Sequence, residues 1–235
     1  MMEDTFTYED FFDKELIRLV LSECLNNGNS IDFIGKTGMF KDQLIAKEKG
    51  FANVETEDNL PNLKILLQKI KTIFDFPVEF STVNFQILYL PWDIHCDWKP
   101  ADEDQSLYNL LIPLQDADSR TFIFDQNNAG LNSKHFYVYK QQKEKCINPI
   151  PIDIWNENLD FCWPEDREYL SIKEIMPYQR AGQLQGFLRH YYHCSDNFPK
   201  KGASPKYFIQ IIVDKAGQHD KKLTTALKKY YAKRK

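Results

Sequence analysis

His95 and Asp97 stand two positions apart at the end of an extended run, Leu90-Pro91-Trp92-Asp93-Ile94-His95-Cys96-Asp97-Trp98. Side chains alternate across an extended backbone, so the imidazole and the carboxylate share one face and Cys96 takes the other. One imidazole and one carboxylate are two thirds of the facial ligand set that grips a non-haem ferrous ion from one side and leaves three coordination positions open. A third ligand should be a histidine on a later strand, and His135, His190, His193 and His219 are the candidates. His193 lies in Arg189-His190-Tyr191-Tyr192-His193-Cys194-Ser195, after a strand-like Gly182-Gln183-Leu184-Gln185-Gly186-Phe187 that can return the chain towards the first pair. A second eye-catching segment, Gly35-Lys36-Thr37, has the tail of a phosphate-binding loop. Ser30 stands where that loop needs its first glycine, so the segment reads as a turn.

The elements that must position these residues are bounded by composition. The chain has 235 residues, 43% hydrophobic and 14% aromatic, which suits a globular fold with a substantial core. A net charge of −4 gives no whole-chain electrostatic case for nucleic acid or membrane. Five cysteines (24, 96, 146, 162 and 194) include no Cys-x-x-Cys pair, and they read as reduced thiols of a cytosol-like compartment. The start, Met1-Met2-Glu3-Asp4, is acidic and lacks the apolar core of a secretory signal. No apolar run reaches bilayer length. A cytoplasmic protein is expected.

Helical spacing of Phe11, Leu16, Leu19, Val20 and Cys24 predicts a helix over 8–26, stopped by Asn26-Asn27-Gly28-Asn29. Asn62 to Phe74 predicts a second amphipathic helix after Pro61. The texture then changes to strands: Phe80 to Leu90, Leu107 to Gln115, Thr121 to Asp125, Lys134 to Lys140, Gln183 to Leu188 and Lys206 to Val213. In the first, Phe85, Ile87 and Tyr89 share one face, and Gln86, Leu88 and Leu90 the other. Residues 141–170 form a long irregular connection that reads as a structural insertion or a lid. From His219 the chain reads as a basic terminal helix with interleaved tyrosines. A solvated helix is the expectation there, and this tail is the sole feature that speaks for nucleic acid. Short strands with turn signals suggest a barrel or jelly roll with the N-terminal helices packed outside.

In order, Ile-His-Cys-Asp-Trp, Tyr-Asn-Leu-Leu-Ile-Pro-Leu, Thr-Phe-Ile-Phe-Asp-Gln, Leu-Ser-Ile-Lys-Glu-Ile, His-Cys-Ser-Asp-Asn-Phe and a lysine opening a final strand resemble the iron- and 2-oxoglutarate-dependent oxygenases. The likeness is greatest to small members of the kind found in marine phages and bacteria. It covers roughly residues 80–214. It implies a β-rich α+β fold, a double-stranded β-helix (jelly-roll, cupin-like) with flanking N-terminal helices and a C-terminal helix. The expected organisation is one oxygenase domain over 1–235, with helical support in 1–75, the β-helix core in 76–214 and a basic tail in 215–235.

By position, the resemblance makes His95, Asp97 and His193 the ligands of Fe(II), and Lys206 the binder of the distal carboxylate of the cosubstrate 2-oxoglutarate. Alternation places Lys206, Phe208 and Gln210 on one face, a polar set suited to a ligand-lined lumen. Lysine offers a point charge rather than a fork, so a hydroxyl helper is expected from Tyr89 or Tyr108. The implied activity is a dioxygenase that releases succinate and carbon dioxide and hydroxylates an unidentified small-molecule or protein substrate. Two other readings use the same fold: a β-helix binding or assembly module without chemistry, and a cupin-like metalloprotein that does not use 2-oxoglutarate.

Overall fold

The computed structural model describes residues 3–35, 40–51, 59–97, 106–127 and 144–216, without the side chains of residues 106, 107 and 127. Several expectations lie outside the described residues: the Lys36-Thr37 turn, the strand Lys134 to Lys140 with His135, and the basic helix from His219 onward.

Among the described residues, ten strands form two sheets. The larger has the order β1-β8-β5-β10-β4-β3-β2, with β1 Thr5–Tyr8, β2 Ile31–Ile34, β3 Leu44–Gly50, β4 Val78–Leu88, β5 Ser106–Pro113, β8 Leu184–Leu188 and β10 Lys206–Lys215. The smaller has the order β7-β6-β9, with β6 Thr121–Asn127, β7 Ile172–Ile175 and β9 Tyr191–Ser195. Every ladder between named strands is antiparallel. The segment around His95 adds a fourth member to the smaller sheet through a bridge to His193 on β9. Two facing antiparallel sheets of this kind make the expected β-rich double-stranded β-helix.

The larger sheet separates two cores, and strand alternation does the separating. Outward residues Val83 and Phe85 of β4, Leu110 and Ile112 of β5, and Ile209 and Ile211 of β10 meet two helices, α1 Lys14–Asn26 and α2 Pro61–Lys71. Those helices bury Ile17, Val20 and Cys24, and Leu63, Leu66, Leu67 and Ile70, against them. Each fully buried aliphatic side chain contributes about 1.5–3 kcal/mol. Intervening residues Gln86, Leu88, Asn109, Leu111, Phe208 and Gln210 face inward to a cavity.

The helix starts are chemically marked. The Asp13 side chain accepts from the Glu15 N–H and caps α1, so the helix begins at Lys14 rather than near residue 8. α2 has no side-chain cap of its own at Leu60. Its free N–H groups at Asn62 and Leu63 instead donate to the Glu23 carboxylate of α1 at 2.9 Å each, a favourable charge at a helix N-terminus.

Residues 1–75 also hold β1, β2 and β3, beyond the helical support expected there. β3, Leu44-Ile-Ala-Lys-Glu-Lys-Gly, is rich in helix formers, yet pairing to β2 and β4 on both sides fixes it as a strand. Lys49 on its outer face is buried and donates to the Cys24 and Leu25 carbonyls, capping the C-terminal end of α1. Within 141–170, the described residues carry short helical turns at 152–159 and 164–169. They bury Ile150, Trp155, Leu159, Phe161 and Leu170 in the second core with Phe122 and Phe124. That burial supports an insertion built into the wall rather than a lid.

Candidate metal centre

β9 and the His95 segment run antiparallel, and each histidine donates its backbone N–H to the other's carbonyl, at 3.1 Å and 2.8 Å. Directly opposed residues send their side chains to the same face, and the two rings lie 4.4 Å apart between centroids. Two positions on from His95, Asp97 returns to that face. Its carboxylate stands 3.9 Å from His95 Nε2 and 3.4 Å from His193 Nε2. One ligand atom from each of the three lies within 4.8 Å of the other two.

The imidazoles are oriented from behind. His95 Nδ1 lies 2.6 Å from the Asp93 carbonyl, and His193 Nδ1 3.2 Å from the Tyr191 carbonyl. A carbonyl only accepts, so each Nδ1 carries the proton and each Nε2 lone pair is turned to the shared centre, the tautomer a metal needs. The Asp97 carboxylate is held by Asn109 of β5 and by Gln210 of β10, whose Nε2 is 3.2 Å from Oδ2. Phe187 packs against the His193 ring at 4.6 Å.

Burial, and then the neighbouring His193, push the His95 imidazole down to about 4, so it is neutral at physiological pH. Burial works against the Asp97 carboxylate, but its polar neighbours, His193 first and then His95 and Arg189, hold it well below the ordinary carboxylate range. A neutral imidazole and an ionised carboxylate are the protonation states of metal ligands. Bonds of about 2.1 Å set neighbouring ligands about 3 Å apart, so the observed spacings fit a divalent ion with small inward rotations.

The same cavity, about 510 Å³, reaches Lys206 at the first position of β10. Lys206 is buried, and burial lowers its ammonium to about 8 against the opposing pull of Asp196. Nζ donates to Ser119 Oγ at 2.9 Å and lies over the Phe198 ring at 4.6 Å. Ser119 donates onward to Asp196 Oδ1 at 2.9 Å, and Lys201 donates to Asp196 Oδ2 at 2.8 Å. The buried carboxylate is thus satisfied by one hydroxyl and one ammonium, and the Lys206 charge is relayed to it through a single hydroxyl.

Lys206, Phe208 and Gln210 all line the cavity. Tyr89 and Tyr108 do not. Tyr108 faces the helices, its ring against Phe6 and Phe74 and its hydroxyl on the Glu3 carbonyl at 3.2 Å. On β5 the inward parity belongs to Asn109 and Leu111, which places Tyr108 on the opposite face. Tyr89 lies past the end of β4, where its backbone bonds Ile45 and Ser204. The hydroxyl bonded to the lysine is that of Ser119, and Thr121 lies on the cavity wall; no local sequence signal marks either. Trp92 lines the cavity and meets Phe33 edge-on at 5.5 Å. Away from the centre, Asn197 holds Asp160 and Gln126 holds Ser171. His190 packs tilted against the Tyr191 ring, outside the centre.

No protein-family model matches the sequence, and no curated protein matches it. Solved structures do. AviO1 from Streptomyces viridochromogenes Tue57 is similar with a TM-score of 0.57 at 13% identity, over 91% of this chain and 90% of that one. The non-haem α-ketoglutarate-dependent carbocyclase SnoK from nogalamycin biosynthesis gives 0.56 at 13%, over 91% and 80%. The epimerase SnoN, solved in complex with ferric iron, α-ketoglutarate and nogalamycin RO, gives 0.56 at 12%, over 91% and 79%. The chain therefore has the double-stranded β-helix fold of the iron- and 2-oxoglutarate-dependent oxygenases.

Proposed function

We propose that this chain is an Fe(II)- and 2-oxoglutarate-dependent dioxygenase that hydroxylates a small molecule and releases succinate and carbon dioxide. The observation that carries the reading is the sharing of one cavity by the His95–Asp97–His193 cluster and the buried Lys206. His95 and His193 would bind the metal through Nε2 and Asp97 through its carboxylate. Two neutral imidazoles and one carboxylate favour a ferrous ion with open positions. When bound, that ion supplies the activation of dioxygen, with electrons drawn from 2-oxoglutarate.

The remaining work falls to the protein. Lys206 would take the distal carboxylate of the cosubstrate, with the Thr121 hydroxyl on the same wall. Lys206 and Gln210 are four residues apart on β10, roughly 13 Å along the strand. This separation leaves room for a short diacid between the ammonium and the metal ligands. Asn109 and Gln210 hold Asp97 in place, and the apolar walls exclude water from the reacting carbon. The domain we assign runs through 1–235, with its catalytic core in 76–214 and a basic tail after it. Neighbouring structures named for 2-oxoglutarate-dependent catalysis support the cosubstrate.

The test is aerobic incubation of the full chain with Fe(II) and 2-oxoglutarate. Succinate should form, even without added substrate, and vanish when iron is chelated. Metal binding without saturable 2-oxoglutarate binding would leave a cupin-like metalloprotein, and binding of neither would leave a module without chemistry.

A further inference from the structure

Glu48 is a carboxylate in the cavity wall that the oxidation itself does not use. It sits on β3 opposite Gln86 of β4, and its two oxygens accept from Asn84 Nδ2 at 2.9 Å and Gln86 Nε2 at 2.8 Å. These amides fix the carboxylate but bring no charge, and each oxygen keeps a second lone pair. Among the described residues no lysine or arginine bonds it. Lys49, next in sequence, points to the other face and gives its ammonium to the end of α1. Lys206 is engaged with Ser119. Burial pushes the Glu48 carboxyl up, and the Asp97 charge adds to that effect. A half-buried anion held only by amides is completed by a cation.

The rest of the wall agrees with such a ligand. Phe33, Phe40, Ile45 and Trp92 line the same cavity, and aromatic faces attract cations as well as apolar bodies. Gln86 also donates to Gln210 Oε1 at 3.0 Å, and Gln210 donates to Asp97. Two amides therefore connect Glu48 to the metal cluster, within the span of one small molecule. An anionic group seated beside Glu48 would be repelled, whereas a cationic one would be held.

We propose that the cavity selects a small organic amine, its ammonium seated on Glu48 and its apolar, ring-sized body against Phe33 and Trp92. This rests on the oxygenase reading only for the statement that the bound amine is the substrate. The experiment is calorimetric titration of the full-length protein with two isosteric probes, 2-phenylethylammonium and 2-phenylethanol. The ammonium should bind at least tenfold more tightly. Glu48→Gln, which preserves shape and accepts one of the two amide bonds, should bring the two probes to equal affinity. Glu48→Asp should keep a weakened preference, and Trp92→Leu should weaken ammonium binding several-fold with Glu48 in place. Thermal unfolding of each variant checks the fold.

Equal binding of both probes to the wild type, binding of neither, or a preference that survives Glu48→Gln in a folded protein would overturn the proposal. A parallel succinate assay separates the two readings. Charge preference without 2-oxoglutarate consumption removes the oxygenase and leaves the cation site. Consumption without charge preference does the reverse.

Discussion

His95 and His193 face each other across an antiparallel bridge, each donating its N–H to the other's carbonyl. The backbone brings the two imidazoles together, so the centre is assembled by the sheet itself. A metal ion would find it largely formed.

Replacing either histidine should therefore leave the fold and remove the chemistry. His95→Ala or His193→Ala is expected to lose stoichiometric iron and to reduce succinate formation to background, while circular dichroism stays unchanged. Asp97→Ala should keep some metal and open a fourth coordination position. Metal analysis of the purified variants checks this, and full activity in His95→Ala would remove the centre as drawn.

Asn109 and Gln210 hold the Asp97 carboxylate by hydrogen bonds. Partners of this kind tune ligands, and their loss costs roughly 10–100-fold in metal affinity. Asn109→Leu and Gln210→Leu should each weaken iron binding within that range, as read by competition with a chelator.

Removing the cation of Lys206 removes a charged hydrogen bond worth about 1.5–3 kcal/mol. Lys206→Met should raise the Kd for 2-oxoglutarate by roughly tenfold or more. Tyr89→Phe and Tyr108→Phe should leave it unchanged, because neither hydroxyl reaches the cavity.

The Lys206 ammonium, lowered by burial to about 8, sets a pH dependence. Below that value the cation is present to meet a carboxylate. As pH rises through it the charge is lost, and the Kd for 2-oxoglutarate should climb by up to tenfold per unit. The Asp196 carboxylate raises this lysine, so Asp196→Asn should move the break to lower pH. The sign for folding follows. Between about 8 and the ordinary lysine value near 10.4, the unfolded chain binds more protons than the folded one. The Lys206 contribution to stability therefore increases with pH across that interval. Calorimetry over pH 7–10 measures both effects.

Leu66 is fully buried between α2 and the larger sheet. Leu66→Ala should cost about 2–5 kcal/mol in denaturant unfolding, with no change in metal stoichiometry in the folded fraction.

The ligand pair, the alternation of β4 and the polar face of β10 are legible in the sequence alone, because period-two patterning decides which side chains share a face. Gln86 and Leu88 line the cavity while Phe85 faces the helices, as that pattern requires. The parity of β5 is not legible in the same way. Tyr-Asn-Leu-Leu-Ile is buried on both faces, so nothing distinguishes inward from outward, and Tyr108 passes for a helper hydroxyl. Ser119 is hidden for another reason: its role depends on Lys206 and Asp196, both remote in sequence. β3 is masked by its alanine and lysines, whose helical preference is overruled by partners on both sides. The wall-building role of 150–170 rests on tertiary burial alone.

β10 presents Lys206, Phe208 and Gln210 to the cavity and Tyr207, Ile209 and Ile211 to the helical side. Were the strand to slide by one residue, an isoleucine would stand where Gln210 supports Asp97 and the ammonium would be driven into grease. The oily back of the strand thus proofreads its working front. The register that seats the isoleucines against the helices is the same one that brings Gln210 to Asp97.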